Sequence, residues 1–172
     1  SNNITVSGTS TNIVEVKSGG TFIKSGSNFL EIRAQMNMNN GSIQVLEGIL
    51  KSSGDGLPRT ITNGTITIDA IATMEFSKFN TIVIHNITGT IISGSGKLEV
   101  SSSSTVNFES GTQINLSGTI AASNSGIANV KAGVSVTLLP NLIINGGIIT
   151  DDVGIISNNF TLDVGGTYGG SG

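Results

Sequence analysis

The chain has 172 residues and a mass of 17.5 kDa, which suits one domain with a sizeable core, and 24 Gly against 2 Pro exclude a collagen-like or Pro-rich chain. Charged residues make up only 11%, the net charge is −3, and the Lys and Arg are scattered, so the basic footprint of a nucleic-acid-binding protein is missing. No Cys and a single His exclude a disulfide framework, thiolate metal sites and most zinc chemistry.

Apolar and polar residues alternate along nearly the whole chain, which predicts short β-strands. Gly, Ser and Asn clusters separate these strands every 8 to 12 residues or so, the spacing of an all-β protein. Residues 29–38 have the best helical pattern, but their spacing suits a strand equally well, so no helix is predicted. The alternating pairs include Ile4/Val6, Val14/Val16, Ile43/Val45, Ile66/Ile68, Ile82/Ile84, Leu98/Val100, Val106/Phe108, Ile114/Leu116, Val134/Val136 and Phe160/Leu162/Val164.

A repeat of about 23 residues aligns turn residues with turn residues and apolar residues with apolar residues. Three short strands and three turns per repeat predict a right-handed parallel β-helix of about seven coils. Ile, Val and Leu would form stacks inside it, with Asn, Ser and Thr in rows outside. The aligned columns are Asn40, Asn63 and Asn86; Val45, Ile68, Ile91 and Ile114; and Ile43 and Ile66.

A second fold is also compatible with the pattern, a pilin-like β-sandwich that completes its sheet with a strand from a neighbouring subunit. The apolar alternations near the two ends of the chain would then be donated strands or subunit contacts. In either fold, residues 1–164 form a single all-β domain and residues 165–172 a flexible Gly-rich tail. The candidate contact residues are Ile4, Val6, Val14, Val16, Phe160, Leu162 and Val164.

The segments ISGSGKLEV at 92–100, SSSS at 101–104, TVNF at 105–108 and GTQINLSGTI at 111–120 carry a family resemblance. They resemble the β-helical passenger and filamentous-haemagglutinin-like repeats of bacterial surface adhesins. About 30 residues match well and the rest matches loosely. The resemblance implies a β-helical fold and a secreted or cell-surface setting, although a secretion-domain signature and a C-terminal membrane barrel are missing from this sequence.

Six Asn-X-Ser/Thr sequons are compatible with N-glycosylation of a secreted chain. A chain this rich in Asn, Ser and Thr generates about four such triplets by chance, so the motif permits glycosylation without requiring it. The six begin at Asn3, Asn40, Asn63, Asn86, Asn115 and Asn159.

The few titratable residues do not form a recognisable catalytic motif. His85 is interpreted as a surface histidine of a strand, because no Cys or Gly-X-Ser-X-Gly nucleophile accompanies it. Asp151 and Asp152 are interpreted as solvated turn residues, because the other elements of pectin-acting β-helix hydrolases are missing. The sequence therefore predicts no catalytic residue, no metal and no cofactor.

Thr60-Ile-Thr62 and Thr65-Ile-Thr67 resemble the Thr-X-Thr rows of ice-binding solenoids, but the motif does not recur in register. Head-to-tail association is expected instead, because the end coils of a solenoid have unpaired edges, and residues 138–144 are more apolar than one inward row requires. No apolar run approaches the roughly 20 residues that span a bilayer, so membrane insertion is not expected.

The sequence as a whole predicts an extracellular or cell-surface structural protein, a self-assembling filament subunit or an adhesin stalk that is not an enzyme. Its expected partners are further copies of itself and surface glycans. The alternatives are a carbohydrate-binding or carbohydrate-active β-helix module and an ice or surface binder.

Overall fold

The computed structural model describes residues 4–6, 13–54, 58–78, 80–138, 140–155, 159–163 and 165–170, with the backbone alone for 4–6. These residues form short β-strands and no helix. The strands are β1 (Ile4–Val6), β2 (Ile13–Val16), β3 (Thr21–Lys24), β4 (Phe29–Ile32), β5 (Gln35–Asn39), β6 (Ser42–Val45), β7 (Gly48–Gly54), β8 (Arg59–Thr62), β9 (Thr65–Ile68), β10 (Ala72–Lys78), β11 (Ile84–Thr88), β12 (Ile91–Gly94), β13 (Lys97–Val100), β14 (Thr105–Phe108), β15 (Gln113–Leu116), β16 (Thr119–Ser123), β17 (Ile127–Val130), β18 (Ser135–Val136), β19 (Asn141–Asn145), β20 (Ile148–Asp151), β21 (Asn159–Leu162) and β22 (Thr167–Gly169).

Successive strands belong to three different sheets, and every third strand returns to the same sheet. Sheet A has the order β1-β4-β7-β10-β13-β16-β19-β21, sheet B the order β2-β5-β8-β11-β14-β17-β20-β22, and sheet C the order β3-β6-β9-β12-β15-β18. Neighbouring strands within each sheet are parallel, as in the β10–β13 and β11–β14 pairs. The chain is therefore a parallel β-solenoid of about seven turns, as the repeat predicts, and not an antiparallel sandwich.

The inward positions of the three sheets form one continuous apolar core. In sheet C, Ile66 pairs with Ile43 on one side and with Ile92 on the other, and all three are fully buried. β-Branched side chains suit this arrangement because they lose little rotamer freedom on a pleated surface. Each buried Ile contributes about 1.5–3 kcal/mol relative to an exposed one.

The predicted repeat holds in part of the chain and shifts in the fourth coil. Val45 pairs with Ile68, as expected, but Ile68 then pairs with Gly94 rather than with Ile91. The coil from Ile66 to Ile92 is three residues longer than the coil from Ile43 to Ile66, which turns Ile91 outward. Two of the extra residues lie in the connection between β10 and β11, and one lies in the connection between β9 and β10.

The corner between sheets B and C repeats a left-handed backbone conformation. Asn40 and Asn63 have φ values of 54° and 52°, and Gly89 follows at 59°. The Asn40 N–H donates to the Thr62 carbonyl, and the Asn63 N–H donates to the Thr88 carbonyl, each over 3.0 Å. Asn and Gly tolerate this conformation better than other residues. Asn86, predicted to share this column, lies instead in the middle of β11.

The predicted tail contains a strand. Thr167–Gly169 form β22, which pairs in parallel with β20, so the expectation of a tail from residue 165 onward is wrong for these residues. The Tyr168 hydroxyl donates to Asp151 Oδ2 over 2.7 Å, and the Tyr168 ring meets the Phe160 ring edge-on, with the ring centres 5.3 Å apart. These contacts attach the segment to the last coil despite its Gly content.

Candidate functional site

Sheet A has a charged outer face on which a row that contains carboxylates lies beside a row of serine hydroxyls. In three places a Glu accepts a hydrogen bond from a Ser of the next coil. Each Ser lies two residues after the residue that pairs with the Glu. The bonds run from Ser53 to Glu31 at 2.5 Å, from Ser101 to Glu75 at 2.6 Å and from Ser123 to Glu99 at 2.8 Å. Basic partners lie beside the same carboxylates, Arg33 at 2.7 Å from Glu31, Lys51 at 3.4 Å from Glu75 and Lys97 at 2.7 Å from Glu99.

Glu31, which is nearly buried, shows how these contacts affect the pKa of a carboxyl group. Burial alone would raise the pKa of Glu31, but the Ser53 hydrogen bond and the Arg33 guanidinium outweigh it and hold that pKa below its usual range. The network thus keeps an ionised carboxylate on a sheet face that is only partly exposed to water.

Sheet B has an amide ladder on its outer face. Asn107 Nδ2 donates to Asn86 Oδ1 over 2.9 Å, and Asn129 Nδ2 donates to Asn107 Oδ1 over 2.8 Å. The Thr150 hydroxyl continues the row by donating to Asn129 Oδ1 over 2.5 Å. Because each amide offers both a donor and an acceptor, the ladder ties successive coils together through side chains as well as backbone.

Sheet C has no charged residue at the outward positions of its six strands. Hydroxyl and amide groups occupy most of these positions, and neighbouring coils are again linked, since the Thr65 hydroxyl donates to Ser42 Oγ over 2.9 Å. The outward residues form two rows, Thr21, Ser42, Thr65, Ile91, Gln113 and Ser135, and Ile23, Gln44, Thr67, Ser93, Asn115 and Thr137.

The two Thr-X-Thr motifs do not form one array. Thr60 and Thr62 belong to β8 of sheet B, whereas Thr65 and Thr67 belong to β9 of sheet C. A corner of the coil separates them, so they face different directions. This placement explains physically why the motif has no regular register in the sequence.

His85 is not a surface histidine, contrary to the prediction. Its side chain is fully buried in sheet B, where it pairs with Arg59 below and Val106 above, and its ring centre lies 4.8 Å from that of Phe76. Burial, followed by the Arg59 charge, lowers the pKa of His85 to about 3 against a smaller opposing effect from the Ser77 backbone. The imidazole is therefore neutral over the physiological range and closed off from a substrate.

The prediction for His85 failed because the inward and outward positions of this strand are the reverse of those expected. The apolar alternation of Ile82 and Ile84 favours these two as the inward residues, but both are exposed, whereas Val83, His85 and Ile87 are buried. Arg59, which sequence reasoning missed, is 1% exposed and donates from Nη2 to the Ala34 carbonyl over 2.8 Å. The pairs Arg59/Ile61 and His85/Ile87 contain the signal, since each polar residue lies two positions before a buried Ile.

Asp151 is not a solvated turn residue either. It is 2% exposed, and Oδ1 accepts the backbone N–H groups of Val153 at 2.9 Å and Gly154 at 3.1 Å, while Oδ2 accepts that of Ile155. Burial, followed by the neighbouring Asp151 carboxylate, raises the pKa of its partner Tyr168 to about 12. Asp152 is exposed, whereas the Asp151 carboxylate is buried and engaged by three backbone N–H groups, so the two carboxylates occupy different environments.

Lys24 is a further buried charged residue that the sequence did not predict. Its ammonium group donates to the carbonyls of Gly26 at 2.5 Å, Glu47 at 2.8 Å and Ser25 at 3.1 Å. Burial lowers the pKa of Lys24, and the Glu47 carboxylate opposes part of that shift. Three backbone acceptors satisfy the three N–H donors, so this lysine closes the corner between sheets C and A.

The sequons differ in accessibility. Asn40, Asn63 and Asn159 are exposed, whereas Asn86 and Asn115 are half-buried within the outer rows of sheets B and C. Asn3 lies outside the described residues. A glycan on Asn86 would compete with the hydrogen bond that this amide accepts from Asn107.

The candidate subunit-contact residues are spread over several strands. Ile4 and Val6 belong to β1, which pairs with β4 of the same chain, and Val14 and Val16 belong to β2. Phe160 and Leu162 of β21 are about half exposed, at 48% and 51%, while Val164 lies outside the described residues. Among those of these positions whose side chains the structure describes, Val16 is buried, Val14 is half-buried, and Phe160 and Leu162 are open to another molecule.

The chain matches no protein-family model, no curated protein and no solved structure. Within the described ranges, no helix has the length and apolar character needed to cross a membrane. The same residues contain no group of three or more His, Asp or Glu side chains that could hold a metal ion. Function must therefore be argued from the faces of the solenoid.

Proposed function

We propose that the protein is a non-catalytic structural rod of the cell surface or extracellular space, a filament subunit or an adhesin stalk. The observation that supports this role is the continuous pairing of three sheets through about seven coils. At the strand spacing of a parallel sheet this stack is about 34 Å long. Each coil pairs with the coils on either side of it, which favours stiffness along the axis.

The side chains on the outer faces favour a mechanical role over a catalytic one. The Glu–Ser pairs of sheet A and the amide ladder of sheet B link one coil to the next. The His and Asp side chains considered for catalysis have structural roles. His85 is buried in the core, and Asp151 accepts three backbone N–H groups of a turn.

The proposed location depends on composition. Hydroxyl and amide side chains replace charged ones on much of the surface, and exposed sequons occur at Asn40, Asn63 and Asn159. The resemblance to adhesin repeats favours the same setting.

Self-association is supported by the edge of sheet C. Among the described residues, β18 pairs with β15 on one side only, while sheets A and B go on through further strands. A groove of about 300 Å³ lies along this edge, with Val134, Val136 and Leu138 on one wall and Val153 and Ile155 on the other. An open strand edge beside a groove that these aliphatic side chains help to line favours the addition of a strand from a second copy.

Negative-stain electron microscopy and sedimentation over a wide range of protein concentration test this proposal. Leu138→Lys places a charge beside the open edge, and Ile71→Lys is the matched control, since Ile71 is an exposed Ile in a turn between β9 and β10. A filament subunit predicts assemblies that Leu138→Lys abolishes and Ile71→Lys retains. A stalk predicts dispersed rods in all three proteins. Turnover of a polysaccharide by the purified chain would contradict both forms of the proposal.

A further inference from the structure

We propose that the outward face of sheet C binds a neutral, hydroxyl-rich polysaccharide. This inference goes beyond the structural role of the rod and does not depend on self-assembly. It starts from a difference between the faces, because sheet A presents Glu31, Lys51, Glu75, Lys97 and Glu99 outward, whereas the strands of sheet C present no charge.

The outward groups of sheet C are chemically complementary to a neutral sugar. Gln44, Gln113 and Asn115 offer amide groups, each with both a donor and an acceptor, and seven Ser or Thr hydroxyls surround them. A neutral sugar presents hydroxyl groups that need both kinds of partner and carries no charge to be desolvated. An acidic polymer or a nucleic acid would find no cation on this face.

The outward face of sheet C also has apolar contact points. Ile23 is 55% exposed and Ile91 is 37% exposed, and they lie in different rows of the same face. Exposed β-branched side chains amid hydroxyls provide a surface for the C–H groups of a sugar ring, while the neighbouring polar groups fix its orientation. The internal hydrogen bond from Thr65 to Ser42 holds part of this surface in one arrangement before a ligand arrives.

The area of the outward face of sheet C limits what can bind to it. Six strands at about 4.8 Å spacing and four residues at about 3.3 Å give a face of about 380 Å². A stable interface between two proteins needs about 800 Å² on each partner. The face is therefore too small for a second copy of the chain and suits the narrow cross-section of a polysaccharide.

Ice is the other neutral partner with a regular surface, and the side chains argue against it. The two rows mix Ser, Thr, Gln, Asn and Ile, whose lengths differ, so the groups do not lie in one plane. Only Thr65 and Thr67 keep the Thr-X-Thr motif on this face.

Affinity electrophoresis tests the proposal with gels that contain hydroxyethyl cellulose, mannan or laminarin, and with an alginate gel as the acidic control. Thr65→Glu introduces a charge into the face. Thr60→Glu is the matched control. Thr60 is also exposed, is also the first Thr of a Thr-X-Thr motif and lies in the same coil, but it belongs to sheet B. Circular dichroism establishes that both variants fold.

The expected result is retardation by at least one of the three neutral polymers and none by alginate. Thr65→Glu should weaken that retardation at least tenfold, while Thr60→Glu leaves it within twofold of the wild type. Absence of retardation in all three neutral gels would overturn the proposal, as would equal losses in the two variants. Thermal hysteresis or a concentration-dependent dimer that only Thr65→Glu abolishes, without retardation, would assign the face to ice or to a second copy. None of these outcomes decides whether the rod forms filaments.

Discussion

Two inward rows of the solenoid are equally buried but differ in chemistry. The row in sheet C contains Ile43, Ile66, Ile92 and Ile114, all fully buried, whereas the corresponding row in sheet B places Arg59 and His85 in consecutive coils. The polar pair occurs where the connection before β11 is enlarged. Burial in this fold is therefore decided by strand parity, and an enlarged corner allows a polar residue to occupy an inward position.

Ile114→Asp should have the largest effect, because it places an unpaired carboxylate in the apolar row. The expected loss in the free energy of unfolding exceeds about 4 kcal/mol, enough to unfold a domain of this size. Chemical denaturation followed by circular dichroism measures it. Gln113→Asp, one position away on the outer face, is the control and should cost less than about 0.5 kcal/mol. Similar losses in both variants would contradict the assigned parity.

The polar row should make stability depend on pH. Unfolded His takes up its proton near pH 6.5, whereas folded His85 does so near pH 3, so between these values the unfolded state binds more protons. Stability is fully present above pH 6.5 and falls on acidification, by up to about 1.4 kcal/mol per pH unit. Urea midpoints of the wild type and of His85→Leu measure the difference. An unchanged slope in the variant would show that another group causes the acid sensitivity.

Asp151 is a polar residue in an inward row of sheet B at the far end, next to Val130. Asp151→Ala leaves three backbone N–H groups without their acceptor and should cost about 2–4 kcal/mol. Asp152→Ala, at the exposed neighbouring position, is the control and should cost less than about 0.5 kcal/mol. Thermal unfolding followed by circular dichroism compares them. Equal effects would mean that the carboxylate of Asp151 does not organise the turn.

Tyr168→Phe should have the smallest effect. It removes the hydrogen bond to Asp151 but keeps the ring contact with Phe160, so the expected loss is about 1 kcal/mol. Amide hydrogen exchange of β20 and β22 is the sensitive measurement, because the change should be confined to the last coil. A loss of protection in β12 as well would contradict a local role.

The fold was predictable because alternation and repetition are both strong in this sequence. Ile43, Val45, Ile66 and Ile68 indicated the inward positions and the strand spacing correctly. The fourth coil was not predictable from a fixed period, since three additional residues displace Ile91 from the inward row. A solenoid conserves the pairing of strands between coils, and corners absorb differences in length.

The polar interior was harder to predict, because a buried charge depends on partners that are distant in sequence. The Lys24 ammonium donates to the Glu47 carbonyl of the next coil, and Arg59 Nη2 donates to the Ala34 carbonyl of the preceding one. Asp151 differs, since its three backbone partners follow it directly. A carboxylate followed by a Gly-containing turn was a local signal that the interpretation as a solvated pair overlooked.

The pairing of each coil with its immediate neighbours has a consequence for growth of the molecule. A coil inserted between two existing ones would form the same kinds of contact on both sides and would leave every other coil unchanged. The length of such a rod is therefore set by how many times the repeat of about 23 residues is duplicated. Duplication or loss of single coils can adjust reach without any redesign of the remainder.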